Sequence, residues 1–379
     1  MVNGGKWDEM NILHINSYYN GGLFYKNLFD QQIKDGINIK VYVPVPKNRK
    51  LLGDDFGGYT LVRPAFYHFE RYFFRMKSVH IYSDLIGTVN IKAFDLIHAH
   101  TLFTNGYIAY KLKKKYGIPY LVTVRNTDIN IFFKKMKFLR PLGINILKEA
   151  DRISFLSSAY LEKTINTYVP VELKASMIKK SVIIGNGIDP FWLEHQGTVK
   201  SYDMEETMHL LAVGNISRNK NIDTTLKALD LLISNGFKVH LHAVGKIKDE
   251  ELLMQIDNHP NATYHAFMKK EELLNLYKKS HIFVLPSHQE TFGNVYPEAL
   301  SQGLPIIYTL NQGFHKQFEE GSVGYGVDSN SPQDICEKIM KISKDYKKFS
   351  ERALNGAEKY HWGEIVRLYQ KGYEEIIND

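Results

Sequence analysis

The stretch LPSHQETFGNVYPEALSQG, residues 285–303, carries a strand end, a polar loop and a helix start within nineteen residues. Residues 281–286 form a short apolar run that closes on Pro286-Ser287, and a helix is expected over about 294–302. Backbone N–H groups at such a start point outward with partial positive charge and suit a diphosphate. Thr291 to Val295 would supply those amides, bracketed by two carboxylates, Glu290 before the helix and Glu298 one turn inside it. With phosphates fixed between them, one carboxylate can accept hydrogen bonds from sugar hydroxyls and the other from a ribose. A solvated loop glutamate beside an ordinary helix glutamate is the plain alternative.

Outward from this stretch the pattern repeats. Strand-like runs are expected at 210–214, 239–245, 262–267, 281–286 and 305–310, with helices at about 220–236, 249–258, 270–280, 294–302 and 332–346. The first half does the same, with strands at 11–16, 37–45, 95–100, 119–125, 152–157 and 181–185 and helices at about 23–35, 105–116, 138–150 and 158–168. Apolar runs without alternation are those of strands covered on both faces, and strand–helix alternation implies a parallel sheet with right-handed crossovers. At 379 residues the chain exceeds one ordinary core, so two α/β domains are expected. The turn-forming Gly185-Asn186-Gly187-Ile188-Asp189-Pro190 divides 10–188 from 189–361, and the amphipathic segment 362–379 is expected to pack back onto the first domain. Ligands of two such domains are expected in a cleft at the carboxyl ends of the strands.

Charge divides along the same line. Residues 1–190 hold 27 Lys and Arg against 15 Asp and Glu, which leaves the remainder net negative although the whole chain is +7. A basic half favours an anionic surface or ligand. It contains two segments mixing aromatics with cations, 66–77 and 131–140, a composition suited to a membrane interface as well as to a core-facing helix. One cysteine, Cys336, excludes an intrachain disulfide and reads as a buried side chain in a reducing, cytoplasmic setting. The first ten residues read as a tail ahead of the first strand, and no apolar run reaches the roughly 20 residues needed to span a bilayer.

Several chemistries lack their motifs. There is no Gly-x-Gly-x-x-Gly after the first strand, no Walker A loop, no Asp-x-Asp pair and no zinc-spaced Cys/His set, so neither a cofactor nor a metal is expected. His98 and His100 are expected on opposite faces of their strand, unable to share an ion, with His98 a packed core residue. No nucleic-acid motif is present either.

The Glu-x₇-Glu pair within PSHQETFGNVYPEALSQGLPII resembles the retaining glycosyltransferases of group 1, family 4, which have the GT-B fold of two Rossmann-like domains facing across a cleft. LAVGNISRNKNIDTTLKAL (211–229), VIIGNGIDPFWL (182–193) and residues 95–130 resemble that family's phosphate loop, interdomain linker and acceptor-domain core. The resemblance implies a nucleotide-sugar donor, UDP-sugar ahead of GDP-sugar, and a saccharide or lipid-linked acceptor in cell-surface polysaccharide synthesis. It assigns catalysis to Glu290 and Lys220, and Arg218 is read as a substitute for the family arginine that falls at Asn215. Gly214, Asn215, Phe267, Met268, Thr291, Phe292, Gly293, Asn294, Glu298 and Gly22 are expected at the donor. Asn16, Gly21, His100, Asn105, Arg125 and Asp128 are expected at the acceptor. Arg125 stands where relatives often have histidine; it can clamp an anion bidentately but cannot act as a base. A nucleotide-sugar epimerase or hydrolase, and a non-catalytic membrane-binding protein on the same scaffold, remain as alternatives.

Overall fold

A computed structural model describes residues 10–19, 23–48 and 56–378. The expected tail at 1–9 and the glycines Gly21 and Gly22 lie outside the described residues. The chain divides into two compact units, one of residues 1–156, 160–189 and 362–379, the other of 157–159 and 190–361.

The first unit holds strands β1 (Asn11–Ile15), β2 (Asn38–Pro46), β3 (Thr60–Phe66), β4 (Leu96–Ala99), β5 (Tyr120–Val124), β6 (Arg152–Phe155) and β7 (Ser181–Ile183) in the order β3-β2-β1-β4-β5-β6-β7, all parallel. The second holds β8 (Met208–Val213), β9 (Val239–Val244), β10 (Ala262–His265), β11 (Ile282–Val284), β12 (Ile306–Thr309) and β13 (Gly324–Val327) in the order β10-β9-β8-β11-β12-β13, also parallel. The strand order reverses direction beside β1 in one unit and beside β8 in the other, which puts the ligand-receiving crevice of each sheet at the ends of those strands.

The strands expected from apolar runs form with ends shifted by a few residues. Two others do not stand out in the sequence. TLVRPAF, which becomes β3, is interrupted by Arg63 and Pro64 and is largely half-buried at the sheet edge, where a proline is tolerated. GYGV, which becomes β13, has glycine at two of four positions, and a Cβ at Gly324 would lie 1.9 Å from the Ile306 carbonyl oxygen. Close backbone packing selects this strand, not side-chain propensity.

The helices form by burying one stripe. In Ile222–Ser234 the buried Ile222, Leu226, Leu229 and Leu232 recur every three or four residues. Helix Pro332–Lys344 starts on Ser331, whose hydroxyl accepts the Asp334 amide, with proline in the first turn; Cys336 is buried in it. The C-terminal helix Trp362–Asn378 buries Trp362, Ile365, Val366, Tyr369 and Tyr373 in the first unit's core, among Phe29, Val41 and Leu121. Gly187 of the linker makes this docking possible, because a Cβ there would stand 2.5 Å from the Trp362 ring. Among the described residues no helix is long and apolar enough to cross a membrane.

Candidate functional site

In the second unit the loops after β8 and β11 are laced to each other. After β8, Gly214 meets Gly245 so closely that a Cβ on Gly245 would lie 1.8 Å from the Gly214 carbonyl oxygen. The chain then makes a tight turn, Arg218–Lys220, ended by Asn221 in a left-handed conformation at φ 59°. Buried Asn221 donates to the carbonyls of Pro286 (2.9 Å) and Ser329 (2.6 Å) and accepts from Thr224 (2.7 Å). Asn219 pairs with both backbone groups of Gln289 at 3.0 Å, and its carbonyl accepts the His288 amide.

This lacing places Lys220 against Glu290, with Nζ 2.7 Å from Oε2 and only 20% and 14% of the two side chains exposed. The lysine stem lies over Gly214, where a Cβ would come within 3.1 Å of Lys220 Cε. The other Glu290 oxygen accepts the Thr291 amide at 3.1 Å, and the Glu290 amide donates to Gln312 Oε1. Gly313 donates to the Glu290 carbonyl, and a Cβ on Gly313 would strike the Thr291 carbonyl at 2.1 Å. The loop carrying the acid is thus pinned through its backbone from two directions.

Beyond Glu290 the loop turns at Gly293, at φ 78°, beneath the Tyr296 ring, whose hydroxyl donates to the Leu285 carbonyl at 2.6 Å. Phe292 faces inward, 2% exposed, so only its backbone can meet a ligand. The amides of Phe292 and Gly293 have no acceptor among the described residues, whereas the Thr291 amide is taken by Glu290. Asn294 is exposed beside them. Glu298, half-buried in helix Val295–Ser301, faces the buried Tyr277 hydroxyl, whose pKa is raised by burial first and by this carboxylate second. At the end of β10, Phe267 is 65% exposed with Lys246 Nζ 4.9 Å above its ring, and Met268 is half-buried next to it.

Arg218 departs from its expected role. Its guanidinium is held by Asp249 at 2.9 Å and by Glu251, and the side chain is 61% exposed. With its charge already matched, the cation beside Glu290 is Lys220. Asn215, in the family arginine's place, is exposed.

In the first unit, Asn16, His100, Asn105 and Arg125 gather at the carboxyl ends of β1, β4 and β5, adjacent strands of the sheet. Asn16 Oδ1 accepts the amides of Tyr18 and Tyr19 at 2.9 and 3.0 Å, and Asn105 Oδ1 accepts from Ser17. Asp128, expected at the acceptor, is fully buried and accepts the amides of Leu102, Phe103 and Arg125 at 2.9–3.1 Å. Its oxygens organise the loops and do not face a ligand. Burial raises its carboxyl to about 6 despite those bonds.

The expectation that His98 and His100 face opposite ways is overturned. Residues two apart on a strand share a face, and the two rings stack at 4.0 Å with His14 beside them. His14 Nδ1 and His100 Nε2 are 2.9 Å apart, and the three residues offer nitrogens within 4.8 Å of one another. His98 already uses both nitrogens, on the Tyr373 hydroxyl (2.7 Å) and Thr123 (2.9 Å), which makes it the packed core residue expected. A second row crosses the other sheet: His209, His242 and His265 are linked in series at 3.1 Å, and His281 Nδ1 accepts the His209 amide. Neither row was legible as a cluster, because cross-strand register brings its members together. The lacing residues Asn219, Asn221 and Gln312 were missed for the same reason: each acts through a partner 22 to 108 positions away.

Two parallel α/β units of this strand order, one with a lysine–glutamate pair at the crevice of its sheet, define the GT-B class of glycosyltransferases. Residues 12–190 match the family described as Glycosyltransferase Family 4, and residues 200–360 the family Glycosyl transferases group 1. The chain belongs to the glycosyltransferases that these two families together describe. It is 25% identical to an uncharacterized glycosyltransferase of Methanocaldococcus jannaschii over 76% of this chain and 77% of that one. It is 23% identical to the capsular polysaccharide biosynthesis glycosyltransferase CapM of Staphylococcus aureus over 60% of this chain and 63% of that one. Among solved structures it resembles a sucrose-phosphate synthase of Thermosynechococcus elongatus, with TM-score 0.73, 17% identity and coverage of 97% and 99% of the two chains. It also resembles Anabaena HepE in complex with UDP and glucose, with TM-score 0.66, 15% identity and coverage of 96% and 99%.

Proposed function

We propose that this glycosyltransferase is a retaining, metal-independent enzyme that moves a sugar from a UDP-sugar to an acceptor used in cell-surface polysaccharide synthesis. The observation that carries the reading is the half-buried Lys220–Glu290 pair beside the unused amides of Phe292 and Gly293. The similarity to HepE, titled as a complex with UDP and glucose, and to a capsular polysaccharide enzyme supports donor and setting.

In this reaction the bond from the sugar's anomeric carbon to the donor phosphate oxygen breaks, and a bond to the acceptor oxygen forms on the same face. The acceptor's proton passes to the departing phosphate oxygen. Negative charge grows on the diphosphate, where Lys220 and the two amides take it up without reorganising. Glu290, steered by the Thr291 amide and Lys220, accepts hydrogen bonds from the transferred sugar. Glu298 is the ribose partner, and exposed Phe267 offers a face to the base.

A thermal-shift screen of UDP- and GDP-sugars tests this. One UDP-sugar should protect the protein best, Glu290→Ala should remove the part of that protection owed to the sugar and leave the part owed to UDP, and the product should keep the donor's anomeric configuration. Equal protection by no nucleotide at all, or an inverted product, would refute it. Donor consumption at the full rate without acceptor would mark a hydrolase.

We further propose that the acceptor is lipid-linked and is met at an anionic membrane surface on the inner face of the cell. The two aromatic, basic segments meet in the first unit, where Phe74 and Phe132 lie 6.1 Å apart, and they leave Tyr72 (80%), Phe73 (58%) and Phe138 (75%) exposed among Arg71, Arg75, Lys135 and Lys137. Bulky aromatics beside lysines suit the headgroup layer. The protein should pellet with vesicles containing phosphatidylglycerol at low salt, and the triple variant Tyr72→Ser/Phe73→Ser/Phe138→Ser should remain in the supernatant. Absence of pelleting at any salt would remove the membrane assignment and leave the enzyme untouched.

A further inference from the structure

Arg125 has no salt-bridged acid among the described residues, and its one side-chain hydrogen bond runs from Nη1 to Asn186 Oδ1 at 3.2 Å. Its guanidinium lies 5.9 Å from the Phe24 ring centre and 5.7 Å from that of Tyr25, and its Nε is buried with no partner. Asp128, whose charge Arg125 feels, spends its oxygens on three backbone amides and forms no ion pair with the arginine.

The same corner holds further unpartnered donors. Asn16 is 0% and Asn105 1% exposed, and both have Nδ2 groups without a well-aligned acceptor among the described residues. Their own carbonyl oxygens are occupied, Asn16 by the Tyr18 and Tyr19 amides and Asn105 by Ser17, which fixes the orientation of both amides. Tyr25 links the groups: burial raises its hydroxyl, the Arg125 charge and the Asn16 side chain within reach of it pull the other way, and its ring meets His100 at 5.5 Å. A buried donor left unmatched costs about 1–3 kcal/mol. Two of them beside a half-buried guanidinium whose own Nε is unmatched, at the carboxyl edge of β1, β4 and β5, are the wall of a site for an oxygen-rich anion.

We infer that the acceptor carries an anionic group, a phosphate or a carboxylate, which seats on Arg125, while Asn16 and Asn105 donate to neighbouring acceptor oxygens. The planar guanidinium presents paired N–H donors that match either group, and partial burial strengthens the attraction over that in water. The inference rests on reading the first unit as the acceptor side. It adds that the acceptor is selected by charge: a neutral acceptor would leave Arg125 desolvated and unmatched, so the arginine in place of the family's histidine sets specificity.

The test uses the full chain saturated with UDP, so that the diphosphate site is filled, and titrates sodium phosphate or sodium acetate at constant ionic strength while the melting temperature is followed. Saturable stabilisation is expected, and the stronger of the two arms identifies the group. Arg125→Gln, which keeps a polar partner for Asn186, should weaken that binding about tenfold or more, and Arg125→Lys should restore part of it. Absence of saturable stabilisation in the native protein, or unchanged anion binding in Arg125→Gln, overturns the inference. Protection by UDP is read in the same experiment and should be unaffected by either variant. Its absence would count against the donor reading of the second unit, independently of the anion result.

Discussion

Lys220→Ala is expected to lower turnover roughly a hundred- to thousandfold, the loss that follows removal of one preorganised donor to a developing anion, about 3–4 kcal/mol of transition-state stabilisation. The structure makes the effect more than a lost charge. Lys220 sits in a tight turn whose end is held by Asn221, with its stem over Gly214 and its ammonium 2.7 Å from Glu290. Its removal leaves a Glu290 carboxylate that is 14% exposed without its counter-ion. That costs folding stability too, by about 1–3 kcal/mol for a pair that keeps some access to water.

The two losses can be separated. In the double variant Lys220→Ala/Glu290→Gln the uncompensated charge is gone, so much of the stability should return while activity stays at its floor. Chemical denaturation and initial rates on the native protein, both single variants and the double variant form a complete cycle. Turnover within tenfold of native in Lys220→Ala would show that this lysine does not meet the leaving group. Recovery of activity together with stability in the double variant would show that the pair only supports the fold.

The second large effect is on stability in mild acid. His14 is held down to about 3, and His98 and His100 well below the ordinary histidine value, chiefly by burial. His242 and His281 are lowered to about 4, again chiefly by burial. A histidine whose folded pKa lies below its unfolded one binds fewer protons when folded, so folding is favoured above about pH 6.5 and loses ground as pH falls toward the folded value. At pH 4.5, His14 alone accounts for a loss of about 3 kcal/mol. Asp128 works the other way: its carboxyl is raised to about 6, so protonation below that value favours the fold, by about 2 kcal/mol at pH 4.5.

The histidines outnumber this one acid, so the net change is a loss. The urea midpoint should therefore fall steadily from pH 7 to pH 4.5. A His98→Asn variant, less stable at neutral pH, should show a shallower slope. A midpoint that is flat or rising over this range would contradict the buried neutral histidines.

Much of the architecture could be read from local pattern. Apolar β-branched runs marked eleven of the thirteen strands, and turn chemistry at 185–190 marked where one unit gives way to the next. Two strands escaped. β3 is a proline-bearing edge and β13 is rich in glycine, so neither carries the continuous apolar run of a covered strand. The site was legible to the extent that its residues are close in sequence: Glu290 and Glu298 share one loop and helix, and Lys220 sits in a short segment after a strand. Arg218 was misplaced because spacing cannot reveal that Asp249 and Glu251 claim its charge from another helix.

Two parallel α/β units, the turn between them, the loop that bears the acids and the opposite charge of the halves all follow from periodicity, turn residues or composition. Only the folded arrangement shows that Lys220 pairs with Glu290, that Asp128 is consumed by backbone amides, that three histidines stack in a core, and that Arg125 forms no ion pair among the described residues. These are matters of which atoms share a space after strands far apart in the chain align, and desolvation then fixes which of those charges are satisfied and which still await a ligand.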